Sequence, residues 1–520
     1  MLAYHPCAAV ARIDFTLMQW LSSLGPVGET IRIIILILEV LLVFNLMILV
    51  HEWGHFLAAR WRGLKVEAFY IWFGKPLWKK TINGVEYGLG SIPAGGYVKL
   101  PQMAPMAAIE GESTSNEPLP PITPLDKIIV AFAGPLFSFG LACVFALLVS
   151  WLGKPQSEAF VTTTIGYVVK DSPAGKAGLL PGDVIKAIDG QPIRRFEGFV
   201  DSVRWGIVAS EGEDIAFEVD RPGEGLKTVK VSAKWPDLEK KETSWWKSIF
   251  ERPAFREVGI SGKSTPMIGK ISANSPAADA GLLPGDEMLS VDGIPLLSPI
   301  QLAEYLENKA NKEVKVVVRR KDKSTRVASE IPVTLIPRVP DVWKSKIEPR
   351  IMVGIEWHAT GERKLYYPGV PEQVSDAARS MFSMISKLVS GKSDISVAHM
   401  SGPVGIGRVY YNLLQDPAAL LQILWFSVVL NINLAIMNML PFPVLDGGHI
   451  TMAIAEALRK KPLHSRALEW VQTACALTLF GFIFFVTFKD LGDIFISKGE
   501  KSNLAEEIGW LPKDQRPAAK

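Results

Sequence analysis

His51, Glu52 and His55 form the pattern His-Glu-x-x-His in the stretch "VHEWGHFLAAR", residues 50–60. On a helix, side chains four residues apart are turned by only about 40° from one another, so the two imidazoles share one face, one turn apart. Two ligands of a single metal ion are then in place. Glu52 projects beside them, where it could accept a proton from a metal-bound water. The chemistry expected of this group is metal-assisted hydrolysis.

A catalytic zinc ion needs a third protein ligand and one open position. Position 61, where a third histidine of the extended HExxHxxGxxH pattern would fall, is Trp61. The candidate lies far along the chain in "NMLPFPVLDGGH", where Asp446 follows two prolines, and His449 is the rival ligand three residues later. Asp446 is favoured because the prolines break the helix and a glycine pair follows, so the backbone can hold the carboxylate toward a neighbouring element.

The metal motif directly follows an apolar stretch, "IILILEVLLVFNLMILV", that holds one charge. Hydrophobic residues make up 48% of the chain, and its mean hydropathy is +0.20. A bilayer core about 30 Å thick needs roughly 20 apolar residues in a helix. Stretches of this kind occupy about residues 31–52, 128–151, 417–440 and 470–488. We therefore expect a polytopic α-helical membrane protein with about four transmembrane helices.

Lysines and arginines near the membrane predict the orientation. They cluster between the first and second apolar segments and between the third and fourth, so both loops are expected in the cytoplasm. The N-terminus, residues 152–416 and the C-terminal tail are then expected outside, and the first segment is expected to be a retained helix instead of a removed signal peptide. His55 and Asp446 would thus both lie at the cytoplasmic ends of their segments. The formal net charge is only +3, which argues against a nucleic-acid partner.

The expected outer region contains an internal repeat. "SPAGKAGLLPGDVIKAIDG" from Ser172 returns as "SPAADAGLLPGDEMLSVDG" from Ser275, without a gap. "REVGI" and "IMVGI" end the two units in the same way, and Val-rich stretches of period two indicate strands of a small sheet. Both units resemble PDZ domains, which bind an extended peptide at a sheet edge. A repeated spacer without a ligand is the alternative.

The two active-site motifs together, HExxH in the first membrane segment and NxxPxPxLDG after the third, resemble the site-2 protease family of M50-type intramembrane zinc metalloproteases. Further matches are "FYIWFGKPLWKK", "IPAGGYVKL", "AGPLFSF" and "SGPVGI". With the paired PDZ-like units, the resemblance is close to the bacterial branch that regulates sigma-E signalling. The resemblance covers roughly residues 35–490.

This resemblance implies a role for each matching residue. His51, His55 and Asp446 would bind Zn²⁺, and Glu52 would be the general base. Asn433 and Asn438 match the asparagines of the third-helix motif, of which the second is associated with holding the substrate backbone. A hairpin over residues 83–100, with Gly95 and Gly96 at its turn, would dip into the membrane and offer its edge to an unwound substrate.

The resulting fold class is a four-helix membrane protein with a membrane-associated β-hairpin and two tandem extracytoplasmic PDZ-like α+β domains. The expected segments are an N-terminal extension (1–30), the first membrane helix (31–60), a cytoplasmic loop with the hairpin (61–126), the second helix (127–152), two PDZ-like domains (158–262 and 264–358), an amphipathic connector (359–415), the third helix (416–440), the LDG motif and a cytoplasmic loop (441–468), the fourth helix (469–489) and a polar tail (490–520).

Three hypotheses about function follow. The first is an intramembrane zinc endopeptidase in the bacterial inner membrane that cuts single-pass membrane proteins, such as an anti-sigma factor or a remnant signal peptide, after another protease has shortened them. The PDZ pair would screen out bulky substrates. The second is a PDZ-bearing membrane scaffold with an inactive metal motif, which should lack a ligand, yet none is missing. The third is a transporter, which predicts repeated membrane halves, whereas the repeat here is outside the membrane segments.

Overall fold

Four helices of the described chain are long and apolar enough to cross a membrane: Gly25–Trp61, Pro124–Leu152, Ala419–Asn438 and Trp470–Gly492. The structure is a computed structural model that describes residues 24–103, 121–232, 252–322, 327–343, 348–358, 364–390, 392–393, 395–416, 418–460, 465–501 and 508–516. The expected polytopic membrane-protein class is confirmed. Most of the predicted N-terminal extension, residues 1–23, lies outside the described residues.

The elements of the described chain are numbered here in chain order. The helices are α1 (Gly25–Trp61), α2 (Pro124–Leu152), α3 (Pro173–Ala177), α4 (Val203–Ala209), α5 (Pro276–Asp279), α6 (Pro299–Leu306), α7 (Val370–Val389), α8 (Pro403–Leu414), α9 (Ala419–Asn438), α10 (Asp446–Arg459) and α11 (Ser465–Lys501). The strands are β1 (Ala68–Phe73), β2 (Trp78–Ile82), β3 (Val85–Leu89), β4 (Ile92–Lys99), β5 (Lys154–Gln156), β6 (Ile165–Val168), β7 (Val184–Ile188), β8 (Gln191–Pro192), β9 (Asp214–Arg221), β10 (Gly225–Ser232), β11 (Ile260–Gly262), β12 (Ile268–Ile271), β13 (Glu287–Val291), β14 (Ile294–Pro295), β15 (Val314–Lys321), β16 (Ala328–Leu335), β17 (Val342–Trp343), β18 (Ile355–Trp357), β19 (Lys364–Tyr366) and β20 (Ile508–Gly509).

These elements group into two units. The first contains the described residues up to Lys154, Tyr366–Phe382 and Ser401–Asp490, and therefore three of the apolar helices whole and the fourth up to Asp490. The second contains Pro155–Leu365, Ser383–Met400 and the residues from Leu491 onward.

Helix α2 is the centre of the first unit, because it packs against α1, α9 and α10. It begins with a capping box: the Thr123 hydroxyl accepts from the Asp126 amide at 3.2 Å, and the Asp126 carboxylate accepts from the Thr123 amide at 2.9 Å. Small residues let its neighbours approach closely, as Ala142 and Ala146 do beside Val428 and Ile432 of α9.

A four-stranded sheet packs against the C-terminal end of α1. Its strand order is β2-β3-β1-β4, with β1 parallel to β3 and antiparallel to β4. Asn83 and Gly84, both at positive φ, form the tight turn between β2 and β3. Phe56 of α1 meets Phe69 of β1 edge to face, with ring centroids 5.5 Å apart, so the sheet is fixed to the helix that carries the histidines.

The predicted hairpin over residues 83–100 is therefore wrong in its pairing. β3 and β4 are consecutive along the chain, but the apolar strand β1 lies between them and pairs with both. The chain passes the end of β1 at Gly90, whose amide donates to the Ile71 carbonyl at 2.8 Å. Gly95 and Gly96 consequently lie inside the edge strand β4 and not at a turn.

The second unit contains two copies of one arrangement, as the sequence repeat predicts. The sheet of the first repeat has the order β10-β9-β7-β8, and that of the second has the order β16-β15-β13-β14. Each repeat adds a two-stranded sheet, β11 with β6 and β12 with β18. Residues 233–251, 323–326 and 344–347 of the two predicted domains, and residues 359–363 of the predicted connector, lie outside the described residues.

The two repeats also share a buried ion pair. Arg221 binds Asp183 at 2.7 Å in the first repeat, and Arg320 binds Asp286 at 2.6 Å in the second. Each aspartate also accepts a backbone amide three residues earlier, from Leu180 at 3.0 Å and from Leu283 at 2.9 Å. Because the same side chains make the same bonds, the likeness of the repeats extends from sequence to packing.

Candidate metal centre

Helix α1 places the two histidines of the HExxH motif one turn apart. Their Nε2 atoms are 3.3 Å from each other, and both rings are largely buried. Gly54, between them in the motif, lets α1 approach α2, since a Cβ at this position would lie 2.5 Å from the Ala133 carbonyl oxygen. The two imidazoles therefore face α2 at close range.

Asp446 completes a three-residue cluster with these histidines. Helix α9 ends at Asn438, three residues before Pro441, and Asp446 is the first residue of α10. Its Oδ2 lies 3.3 Å from His51 Nε2, and its Oδ1 lies 3.3 Å from His55 Nε2. Burial would raise the pKa of the Asp446 carboxyl, but His55 and His51 beside it lower the pKa well below its usual range.

The separations in this cluster fit a tetrahedral zinc ion. With metal–ligand bonds of about 2.0–2.1 Å, neighbouring ligands of a tetrahedron are about 3.3–3.4 Å apart. The two Nε2 atoms are 3.3 Å apart, and each lies 3.3 Å from one of the two carboxylate oxygens of Asp446. One ligand atom from each of His51, His55 and Asp446 lies within 4.8 Å of the others. Two imidazoles and one carboxylate also match the kind of ligand set that leaves a fourth position open for catalysis.

Two groups on α2 set the orientation of the imidazoles. His55 Nδ1 lies 2.8 Å from the Val130 carbonyl oxygen, and His51 Nδ1 lies 2.9 Å from the Ser138 hydroxyl. A carbonyl oxygen can only accept, so His55 carries a proton on Nδ1, and Nε2 is the nitrogen left to bind a metal ion. Neither Val130 nor Ser138 was predicted from sequence. Ser138 lies within "AGPLFSF", but no spacing rule ties it to His51.

Gly134 on α2 makes room for both histidines. A Cβ at this position would lie 2.2 Å from His55 Nε2 and 2.9 Å from His51 Nε2. Any side chain would therefore overlap the atoms that would face the metal. Gly134 lies within the quoted stretch "AGPLFSF", but no role for it was predicted from sequence.

The cluster lines a cavity of about 360 Å³. Glu52 lines the same cavity, as do Gly95 and Gly96 of β4. A Cβ at Gly96 would lie 3.2 Å from Glu52 Cγ, so the edge strand runs directly past this carboxylate. The structure thus brings together the predicted ligands, the predicted base and the predicted glycines.

The remaining predicted residues divide into two groups. Asn438 lines the cavity, and its Nδ2 lies 3.3 Å from His51 Nε2. His449, the rival ligand, also lines the cavity but is not part of the three-residue cluster, and burial lowers its pKa. Asn433 lies on the same helix as Asn438 but does not line the cavity, so its role in substrate binding stays a prediction.

Comparison with known proteins places these features in a family. The sequence profile of Peptidase family M50 matches residues 39–482. The Regulator of sigma-E protease RseP of Salmonella typhimurium is 28% identical over 460 residues, covering 83% of this chain and 92% of the relative. The protein of the same name from Escherichia coli is 27% identical over 450 residues, covering 82% and 91%.

A third relative is informative about the identity of the metal. A protein of Neisseria meningitidis whose name describes a zinc metalloprotease is 30% identical over 439 residues, covering 82% of this chain and 92% of the relative. The relatives are bacterial, and the four apolar helices fit a multi-pass protein of the bacterial inner membrane. The enzyme is a zinc metalloendopeptidase, and the chain belongs to Peptidase family M50, the site-2 protease type.

Proposed function

We propose that this enzyme cuts single-pass transmembrane proteins at the membrane, using His51, His55 and Asp446 as its zinc ligands. The observation that carries the proposal is the position of the cluster. Two of its members lie on a helix that is long and apolar enough to span a bilayer, and the edge strand β4 lines the same cavity. A metalloendopeptidase with this arrangement can meet a substrate that reaches it through lipid.

The proposed chemistry uses a zinc ion, Glu52 and Asn438 in separate roles. A bound zinc ion supplies Lewis acidity, which polarises water and the scissile carbonyl. Glu52 accepts a proton from the attacking water and passes it to the leaving amine. The amide of Asn438 is close enough to the cluster to donate a hydrogen bond to the substrate backbone. Asn433 enters this proposal only as a match to the third-helix motif.

A transmembrane substrate must be unwound before it can be cut, because a helix hides its own peptide bonds in hydrogen bonds. Each unpaired backbone group in lipid costs several kcal/mol, so an enzyme has to supply replacement partners. Among the described residues, strand β4 pairs with β1 alone, and Gly95 and Gly96 line the cavity. We propose that the unwound substrate adds to β4 as a further strand, which brings its backbone past Glu52.

The two repeats are proposed to be PDZ-like domains on the outer side of the membrane. Their matching sheets each leave a short strand, β11 or β18, at the edge of a two-stranded sheet, where a peptide can add. Lysine and arginine bias supports placing the loops 61–126 and 441–468 in the cytoplasm. We propose that the pair admits only substrates already shortened by another protease. Because two relatives are named for sigma-E regulation, an anti-sigma factor or a remnant signal peptide is the proposed substrate.

Cleavage of a purified single-pass substrate tests this function. The enzyme, in liposomes, is given substrates that differ only in the length of the outer segment, and Glu52→Gln is compared with the wild type and with zinc chelation. Glu29→Gln is the matched control, because Glu29 lies on the same helix and pairs with Arg32 at 2.8 Å, away from the cavity.

We expect cleavage within or beside the substrate helix, faster for short outer segments, and abolished by Glu52→Gln and by chelation. Glu52→Gln should retain bound zinc, whereas His55→Ala or Asp446→Ala should lose it. Wild-type enzyme that carries zinc and binds the substrate but never cuts it would contradict the proposal. Equal cleavage rates for all outer-segment lengths would contradict the proposed screening role of the repeats but not the proposed cleavage chemistry.

A further inference from the structure

The C-terminal residues Ile508–Arg516, here called the tail segment, dock onto the second repeat. Strand β20 pairs antiparallel with β17, with Gly509 opposite Val342 and Ile508 opposite Trp343. Trp510 is 9% exposed, a low value for so large a side chain in a terminal segment. The tail segment lies beyond residue 482, where the match to the family ends.

Trp510 is the apolar anchor of this contact. The guanidinium carbon of Arg338 lies 4.6 Å from the centroid of its ring, within the range of a cation–π contact. Its Nε1 would lie 3.2 Å from a Cβ at Gly354, so the absence of a side chain at Gly354 makes room for the indole. The next residue, Leu511, donates its amide to Asp341 Oδ2 at 2.9 Å, and Arg338 binds the same oxygen at 2.7 Å.

Arg516 binds the second repeat at the other end of the tail segment. It donates to Asp279 Oδ2 at 2.6 Å and to the Asn274 carbonyl at 2.8 Å. Its Nε donates to the Leu511 carbonyl at 3.0 Å, which folds the segment back on itself. Lys513 adds a longer contact of 3.8 Å to Asp279.

Only the second repeat can accept a basic residue in this way. When "SPAGKAGL" and "SPAADAGL" are aligned, the position of Asp279 is occupied by Lys176 in the first repeat. The same docking there would bring Arg516 against another cation. The difference makes Asp279 a site-specific feature and supplies a natural control substitution.

From these contacts we infer that the second repeat carries a peptide-binding site formed by Asp279, Arg338, Asp341 and β17, and that the tail segment is its resident ligand. The ligand class is an extended segment with a tryptophan followed, six residues later, by an arginine. Tethering raises the effective concentration of such a ligand, so the resident segment excludes competing peptides of the same class.

A designed disulfide tests the docking in the full-length enzyme. A Cβ at Gly509 would lie 3.4 Å from Val342 Cβ, close to the Cβ–Cβ range of about 3.5–4.5 Å in disulfides. In a variant with Cys7, Cys143 and Cys475 replaced, Val342→Cys with Gly509→Cys should form an intramolecular disulfide that changes migration on a non-reducing gel. Thr228→Cys, on an exposed strand of the first repeat, with Gly509→Cys is the collision control and should not cross-link.

The ion pair between Asp279 and Arg516 should affect the rate of this cross-linking. Asp279→Lys, which installs the residue of the first repeat, should slow cross-linking by about tenfold, as expected for the loss of a charge-assisted hydrogen bond. Adding Arg516→Asp to Asp279→Lys should restore part of the rate. Cross-linking that is unaffected by Asp279→Lys and by Trp510→Ala would overturn the inference.

Peptide binding provides the second measurement. A labelled peptide of residues 508–516 is titrated against full-length wild type and against full-length Trp510→Ala/Arg516→Asp, in which the resident segment is weakened. The variant should bind the peptide at least about tenfold more tightly than wild type, and adding Asp279→Lys to that variant should weaken the binding by about tenfold. If the peptide binds neither form, the contact is not a ligand site and the inference fails.

Discussion

The hydroxyl oxygen of Ser138 lies 2.9 Å from His51 Nδ1, on the side of the imidazole opposite the metal cluster. Both groups are buried, so no water competes for this contact. The contact fixes the plane of the ring and so directs Nε2 toward Asp446. Helix α2 therefore orients His51, a predicted ligand that lies on helix α1.

Removing this hydroxyl should weaken zinc binding without destroying the site. For Ser138→Ala we expect zinc affinity to fall by about 10- to 100-fold, the usual cost of losing a partner that orients a ligand. Competition with a chelator of known affinity measures the change. Ser150→Ala is the matched control, because its hydroxyl oxygen lies 2.8 Å from the Ala146 carbonyl and 2.6 Å from the Pro368 carbonyl and touches neither histidine. Equal effects of the two variants would contradict the role of Ser138.

Gly134 provides a steric test of the same centre. In Gly134→Ala, the new methyl would lie 2.2 Å from His55 Nε2, so the imidazole has to move. A displacement of about 1 Å at a catalytic group costs about 100-fold in rate, and we expect at least that loss of kcat together with weaker zinc binding. Gly140→Ala on the same helix should leave both unchanged, because no atom of the described residues lies within 4 Å of a Cβ there. A fully active Gly134→Ala enzyme would show that the imidazoles tolerate a shift.

The candidate ligands could be predicted from sequence because their geometry is local or follows from chain direction. The i, i+4 spacing of His51 and His55 places them on one face of a helix. The prolines before Asp446, and the common direction of the first and third membrane segments, predict that Asp446 lies near them. Ser138 and Gly134 could not be predicted in the same way. Their importance depends on which face of α2 packs against α1, and an almost uniformly apolar helix carries no periodic pattern that identifies a face.

The sheet beside the site illustrates another limit. The family resemblance implies a hairpin over residues 83–100, which would pair β3 with β4, but β1 lies between them. Strand order is decided by long-range packing of an apolar strand such as β1, which local turn signals do not report. The internal repeat was predictable because the two copies can be compared with each other. The PDZ-like character of these repeats stays a prediction.

Gly95 should be sensitive to substitution for two separable reasons. Its φ is +74°, and a Cβ would lie 2.1 Å from Phe73 Cε2. Gly84 has a similar φ of +80°, and no atom in the part of the chain that the structure describes lies within 4 Å of a Cβ there, so Gly84→Ala reports the cost of the backbone alone, about 1–2 kcal/mol. We expect Gly95→Ala to destabilise the enzyme more and to raise KM, because β4 would shift along the cavity. Thermal unfolding and cleavage kinetics measure the two effects, and equal behaviour of the variants would contradict a role for the Phe73 contact.

The buried ion pair of the second repeat should matter more than its exposed neighbour. Asp286 is 1% exposed and binds Arg320, whereas Glu330 lies at the surface, 3.5 Å from Arg319. Asp286→Ala leaves a partly buried guanidinium uncompensated and strips the Leu283 amide of its acceptor, so we expect a loss of about 3–5 kcal/mol. Glu330→Ala should cost no more than about 1 kcal/mol. Hydrogen exchange read by mass spectrometry localises the effect, because Asp286→Ala should deprotect β13 and β15 while leaving β7 and β9 of the first repeat unchanged. Deprotection of both repeats to the same degree would mean that they unfold as a single cooperative unit.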